Sequence, residues 1–78
     1  MKITYSNINK IEGPLVFLQH QHDVMNGEIV KVRDPNGNIR KGRVLEITED
    51  YTCIEIFQGT SGLDIDKTQV TFVSPYTN

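Results

Sequence analysis

The chain has 78 residues, a formal net charge of −2 and 37% apolar residues, which limits it to one domain with a small core. This composition excludes an intrinsically disordered segment, and the longest apolar run, Leu15 to Leu18, is far too short to span a bilayer. The single cysteine, Cys53, excludes a disulfide scaffold within the chain. A weakly negative charge excludes a purely electrostatic nucleic-acid binder, although a local basic patch stays possible.

The apolar residues favour strands over helices. Nine Ile, seven Val and seven Thr are β-branched, whereas there are four Leu and neither Ala nor Trp. Stiff β-branched side chains suit a pleated sheet, and a 3.6-residue period is missing over any ten residues. We therefore expect an all-β domain. The first six residues lack the apolar stretch of a signal peptide, so we also expect the domain to be cytoplasmic.

Turn signals divide the chain into about six strands. Taken in order, the predicted strands are residues 3–11, 15–18, 28–33, 39–48, 51–57 and 70–73. Six short strands cannot form two full layers, and closure removes exposed edges. The sequence therefore predicts a small closed six-stranded antiparallel β-barrel, with Leu63 and Ile65 covering one end.

The strongest local signal is Asp34-Pro35-Asn36-Gly37, which predicts a hairpin with a type I turn and a bulge at Gly37. On the return strand, Leu45 and Ile47 have the parity of core residues, but so do Lys41 and Arg43. We therefore expect Gly42 to mark a bulge or bend that switches the facing of this strand.

Five of the eight basic residues surround this hairpin. They are Lys31, Arg33, Arg40, Lys41 and Arg43. One interpretation is an OB-like or SH3-like barrel that binds nucleic acid through this face. A solvated face or a charged contact with a neighbouring protein is favoured, because no row of aromatic residues for base stacking accompanies the basic residues.

No catalytic, metal or nucleotide site is predicted. Residues 37–44 resemble the phosphate loop G-x-x-x-x-G-K-[ST], but Arg43 and Val44 stand where its Lys and Ser/Thr belong. His20 and His22 at i, i+2 have no second ligand pair nearby, which favours a polar loop. Cys53 lacks a recognisable His/Asn or His/Asp partner arrangement, and the carboxylates show no defensible pairing. We expect no cofactor in this chain and no enzyme activity.

Three segments together resemble the B subunit of V-type and archaeal-type (A-type) rotary ATPases. They are residues 5–17 (YSNINKIEGPLVF), residues 27–46 from Gly-Glu-Ile-Val-Lys-Val-Arg through the turn to Gly-Arg-Val-Leu-Glu, and residues 56–64 (IFQGTSGLD). Each segment alone is weakly specific, but their order and spacing cover nearly the whole chain. The polar loop around His20 and His22 departs from the Gly-rich sequence typical of that position.

This resemblance implies that residues 1–78 form the N-terminal β-barrel of a longer non-catalytic, regulatory subunit, excised as a domain. In that family three B subunits alternate with three catalytic A subunits, and their barrels form a collar on the ring. ATP and magnesium belong to later domains of the complex, which couples ATP hydrolysis or synthesis to proton or sodium transport. The resemblance implies A subunits as partners, a peripheral cytoplasmic location without direct membrane contact, and a monomeric isolated barrel. Tyr51 and Phe57, on outward parity, join the five basic residues as the expected interface.

Overall fold

The computed structural model describes residues 2–5, 8–19, 21 and 24–73, and it contains seven strands within these ranges. They are β1 (Lys2–Tyr5), β2 (Ile8–Glu12), β3 (Leu15–Gln19), β4 (Ile29–Arg33), β5 (Ile39–Ile47), β6 (Tyr51–Ile56) and β7 (Gln69–Val73). In these ranges no helix is long and apolar enough to cross a membrane. The all-β prediction is confirmed.

All seven strands form one antiparallel sheet in the order β1-β7-β4-β5-β6-β3-β2. This order corrects the predicted closed six-stranded barrel in two respects. The predicted first strand is two strands, because β1 pairs with β7 whereas β2 pairs with β3. The order is also linear, with β1 at one end and β2 at the other, so the sheet is an open half-barrel.

The two edge strands of this sheet, β1 and β2, are neighbours in the sequence. Only residues 6 and 7 separate the end of β1 from the start of β2, and three Cα–Cα steps span at most about 11 Å. The sheet must therefore curl until its two edge strands approach each other. The N-terminal segment thus contributes to both edges of the curled sheet.

The concave face of the sheet carries the core. Its buried side chains come from β2 to β7 and alternate with exposed ones, as a half-buried sheet requires. The cluster consists of Ile8, Val16, Leu18, Val30, Val32, Val44, Ile54, Ile56, Val70 and Phe72. Leu63 packs against this cluster as predicted, whereas Ile65 is 42% exposed and does not cover the barrel end.

The facing of β5 differs from the prediction. Gly42 and Val44 face the core, and Lys41 and Arg43 are exposed. The register shift lies between Val44 and Glu46 rather than at Gly42, and it leaves Leu45 40% exposed. Gly42 is instead required by close packing, because a Cβ atom there would lie 2.5 Å from the backbone oxygen of Glu55 on β6.

The β4–β5 turn has the predicted form. The Gly37 N–H donates to the Asp34 carbonyl (2.9 Å), and the Asp34 N–H donates to the Asn38 carbonyl (2.8 Å). Gly37 has φ of 87°, a conformation that side chains with a Cβ atom rarely adopt. This turn fixes the register in which the basic residues of β4 and β5 face each other.

Candidate interaction surface

The hairpin of β4 and β5 presents its basic side chains on the outer, convex face of the sheet. In the ladder, Ile29 lies opposite Arg43, Lys31 opposite Lys41, and Arg33 opposite Ile39. All six of these side chains are exposed, since their neighbours Val30 and Val32 take the core positions. Four of the five predicted basic residues therefore share one face, and Arg43 forms an ion pair there with Glu55 (3.2 Å).

Arg40, the fifth basic residue, points to the other side of the hairpin. Its guanidinium donates to the Asp34 carboxylate (3.3 Å), to the Gly59 carbonyl (3.0 Å) and to the Ser61 carbonyl (2.6 Å). The side chain is only 17% exposed. Arg40 thus connects the β4–β5 turn to the loop that follows β6.

Asp34 holds the turn and the guanidinium together. Its Oδ1 atom accepts hydrogen bonds from the N–H groups of Asn36 (3.0 Å) and Asn38 (2.9 Å), and the residue is 5% exposed. Burial alone would raise the pKa of this carboxyl, but the hydrogen bond from Asn38 and those from Arg40 and Asn36 outweigh it. The pKa of Asp34 therefore lies below its usual value, and the carboxylate is charged at neutral pH.

The loop after β6 is held from two sides. Arg40 binds its carbonyls on one side, and the Thr60 hydroxyl donates to the Gly13 carbonyl of the β2–β3 turn on the other. The Phe57 N–H also donates to the Lys41 carbonyl (3.0 Å), which extends the β5–β6 ladder by one residue. The Phe57 side chain is nevertheless 54% exposed on the outer face.

Tyr51, the other predicted aromatic contact, lies at the opposite end of β6, about 20 Å along the strand from Phe57. It meets Phe17 of β3 edge to face, with ring centroids 5.3 Å apart, and Lys10 lies 4.6 Å from the centroid of Phe17. The Tyr51 hydroxyl donates to Glu46 (2.8 Å), and this hydrogen bond, with burial, raises the pKa of Tyr51. The structure therefore separates the predicted interface residues into two regions.

Cys53 lies between these regions and is buried. Burial raises the pKa of its thiol, so little thiolate forms at neutral pH. This setting fits the interpretation of Cys53 as a structural residue.

The structure also describes the segment of the near-match to a phosphate loop, residues 37–44, but it does not describe the two histidines. Residues 37–44 form a turn and the first part of strand β5, whereas a phosphate loop leads into a helix whose N-terminus faces the phosphates. His20 and His22 lie outside the described residues. Among residues 2–5, 8–19, 21 and 24–73, no group of three or more His, Cys, Asp or Glu could hold a metal ion.

Sequence reasoning missed the Arg40–Asp34 clamp and the Phe17–Tyr51 contact. The clamp joins Arg40 to carbonyls 19 and 21 residues away, so no local pattern shows it. The parity of the strand gave no signal either, because Leu45 and Ile47 as core residues place Arg40 on the outward face, whereas the structure turns it to the other side of the hairpin.

The fold is a small antiparallel half-barrel whose outer face carries exposed basic and aromatic side chains. The family model for the ATP synthase alpha/beta family, beta-barrel domain, matches residues 8–73. The chain belongs to this family.

Relatives of the chain include subunits of V-type and A-type ATP synthases and of a V-type proton ATPase. It is 40% identical over 73 residues, 94% of its length, to the V-type ATP synthase beta chain of Thermus thermophilus. It is 40% identical over 68 residues, 87% of its length, to the B subunit of the A-type ATP synthase of Methanopyrus kandleri. The identity to the B subunit of the V-type proton ATPase of Schizosaccharomyces pombe is 38% over 71 residues, or 91% of the chain.

The chain spans only a small part of these relatives. It covers 15%, 7% and 14% of their respective lengths. The predicted resemblance to B subunits of V-type and A-type ATPases is confirmed for this one domain.

Proposed function

We propose that this chain is the N-terminal barrel domain of the non-catalytic, regulatory B subunit of a rotary V/A-type ATPase, and that it helps to hold the ring of alternating A and B subunits together. The observation that carries the proposal is the match of residues 8–73 to the family's barrel domain, together with B-subunit relatives aligned over up to 94% of the chain. The complete machine would couple ATP hydrolysis or synthesis to ion transport.

The domain's contribution would be mechanical rather than chemical. ATP and magnesium would bind elsewhere in the complex, because strand β5 occupies the segment where the near-match to the phosphate loop lies. The partners would be catalytic A subunits, and the location would be peripheral to the membrane on the cytoplasmic side. Exposed apolar side chains beside basic ones, Phe57 and Ile39 beside Lys41, support a protein contact of this kind.

The test is ring assembly with and without this domain. The full-length B subunit and a version lacking residues 1–73 would each be co-expressed with the A subunit, and the products analysed by native mass spectrometry. We expect the intact subunit to form A/B hexamers, and the shortened one to form fewer hexamers that dissociate at lower temperature.

Two results would contradict the proposal. One is equal assembly and equal thermal resistance of the rings with and without the domain. The other is an intact subunit that forms no complex with A but binds oligonucleotides in a sequence-selective manner. That second result would favour a nucleic-acid-binding barrel that uses the basic hairpin.

A further inference from the structure

Three cations on the outer face of the β4–β5 hairpin have no anionic partner among the described residues. Lys31 and Lys41 lie directly opposite each other in the ladder, and Arg33 follows Lys31 by one alternation, about 6.6 Å along β4. The ion pairs formed by other basic residues of the hairpin are Arg43 with Glu55 and Arg40 with Asp34. Like charges directly opposite each other destabilise a sheet, so this arrangement lowers the stability of the isolated fold.

Apolar side chains lie directly beside these cations. Phe57 neighbours Lys41, because its N–H extends the β5–β6 ladder at that residue. Ile39 lies opposite Arg33 and two residues before Lys41 on the same face of β5. Phe57 is 54% exposed and Ile39 is 48% exposed, so both apolar side chains are open to a partner. We call Phe57, Ile39, Lys31, Arg33 and Lys41 together the Phe57 surface.

The Phe57 surface is held in place before any partner binds. Arg40 joins the β4–β5 turn to the Gly59 and Ser61 carbonyls, and Thr60 anchors the same loop to Gly13. The Gly59 N–H also donates to the Ile56 carbonyl (2.9 Å), which closes the turn around Phe57. A surface whose backbone is already ordered loses less conformational entropy when it binds.

We infer that the Phe57 surface docks into an apolar pocket rimmed by carboxylates on a neighbouring subunit, with Phe57 and Ile39 as the apolar anchor and Lys31, Arg33 and Lys41 as the basic rim. Arg40 is a positioning residue that orders the loop from the opposite side. This inference rests on the proposed function, since the partner is a subunit of the same complex. An acidic rim neutralises the opposed lysines, and an apolar pocket removes both exposed side chains from water.

The Phe57 surface is better suited to a protein partner than to a nucleic acid. A single-strand binder aligns aromatic rings beside its cations so that successive bases can stack. Besides Phe57, the aromatic side chains described on the outer face are Phe17 and Tyr51, which contact each other. Tyr51 lies about 20 Å from Phe57 along β6, so these rings do not line up beside the cations. Ile39 lies beside Arg33 and Lys41, and a phosphate backbone offers no apolar group for it to contact.

The opposed lysines provide a variant that separates docking from folding. Lys41→Glu places a carboxylate opposite Lys31, which replaces a repulsive cross-strand pair by an attractive one. The melting temperature of the 78-residue chain should therefore rise, by about 2–4 °C, while docking to an acidic rim should weaken. Lys67→Glu is the matched control, because Lys67 is equally an exposed lysine but lies on the turn before β7.

The docking measurement uses the full-length subunit in the complete complex. Wild type, Lys41→Glu, Arg33→Glu and Lys67→Glu would be co-expressed with the other subunits, and the composition of each complex followed by native mass spectrometry as NaCl is raised. At low salt, about 50 mM NaCl, we expect Lys41→Glu and Arg33→Glu complexes to lack one neighbouring subunit that wild type and Lys67→Glu retain. Phe57→Ala should lose the same subunit, whereas Met25→Ala, also at an exposed apolar residue, should keep it.

The outcomes distinguish this inference from the proposed function. If wild type assembles and Lys41→Glu and Phe57→Ala complexes retain every subunit with unchanged salt tolerance, the inference is wrong and the proposed function stands. If the wild-type subunit enters no rotary complex, both are wrong. If wild type binds a labelled oligothymidine and Lys41→Glu abolishes that binding while complex composition is unchanged, the surface serves nucleic acid and the inference is overturned.

Discussion

Replacing Gly42 by alanine should strain the contact between β5 and β6 in the middle of the sheet. A Cβ atom at this position would lie 2.5 Å from the Glu55 carbonyl oxygen, 3.1 Å from Ile56 Cδ1 and 3.2 Å from Ile54 Cγ2. The two side-chain atoms can yield by small rotations. The carbonyl oxygen cannot, because it belongs to the backbone of β6, which pairs with β5 from Gly42 to Ile47.

The expected loss follows from how far the strands must separate. Reaching an ordinary contact of about 3.4 Å requires β5 and β6 to move apart by nearly 1 Å, and such overpacking costs about 1–3 kcal/mol. Alanine recovers about 0.5–1 kcal/mol of backbone entropy relative to glycine, which offsets only part of the clash. We expect the free energy of unfolding to fall by about 1–2 kcal/mol and the melting temperature of the 78-residue chain by about 4–16 °C.

Thermal melts by circular dichroism and urea titrations of the chain would measure this loss. Asparagine provides a control that separates the clash from backbone strain. At Gly37, where φ is 87° and no atom lies within 4 Å of an added Cβ, Asn should be tolerated better than Ala because it accepts this conformation. At Gly42, Asn should be no better than Ala. A Gly42→Ala variant as stable as wild type would refute the close approach of the two strands.

Three further predictions concern the turn, the clamp and self-association. Gly37→Val should lower the free energy of unfolding by about 1 kcal/mol or more, and an unchanged melting temperature would contradict the turn geometry. Because the folded pKa of Asp34 is lowered, its ionisation stabilises the fold above the unfolded pKa of about 3.9, and this contribution is lost as pH falls further. Asp34→Asn should thus be less stable than wild type in urea titrations at pH 7, with a gap that narrows below about pH 4; a gap independent of pH would count against a charged Asp34. Light scattering of the isolated chain should give a monomer or weak association, because the contact with A subunits that we propose is heterologous, whereas a stable hexamer would contradict this expectation.

Local patterns in the sequence are sufficient to predict most of the strands. Val30 and Val32 alternate with Lys31 and Arg33, and the turn from Asp34 to Gly37 fixes the register of the hairpin. These features depend on neighbours within a few residues. The outward position of the basic residues of β4 therefore followed from the sequence.

The remaining features depend on contacts between distant segments. The facing of β5 is set by the fit of Gly42 against Glu55 and by a register shift at Leu45. A glycine in a strand can mark either a bulge or a close approach of another backbone, so the sequence does not say which applies at Gly42, and Leu45 has no local signal. The division of the first strand arises because residues 2–5 and 8–12 find partners at opposite ends of the chain. The basic neighbours of Arg40 in the sequence predict an interface role for it, but only the fold shows that its guanidinium is occupied.

The pairing of β1 with β7 sets the order in which the domain can fold. The β2–β3, β4–β5 and β5–β6 ladders close short loops, whereas β3–β6 and β4–β7 join residues 32 to 42 positions apart. The β1–β7 ladder joins Lys2 to Val73, the first and last of the described residues. Loop-closure entropy grows with this separation, and non-local pairing slows folding.

The last ladder to form should thus be the one made by the first residues. During synthesis β1 would leave the ribosome before the other six described strands, and it would have no partner until β7 follows. Until then the outer edge of β4 would also be unpaired, because β7 lies between β1 and β4 in the sheet. Exposed edges of this kind can pair with other chains, so the interval between the synthesis of β1 and the arrival of β7 is when the nascent domain would be most prone to aggregation.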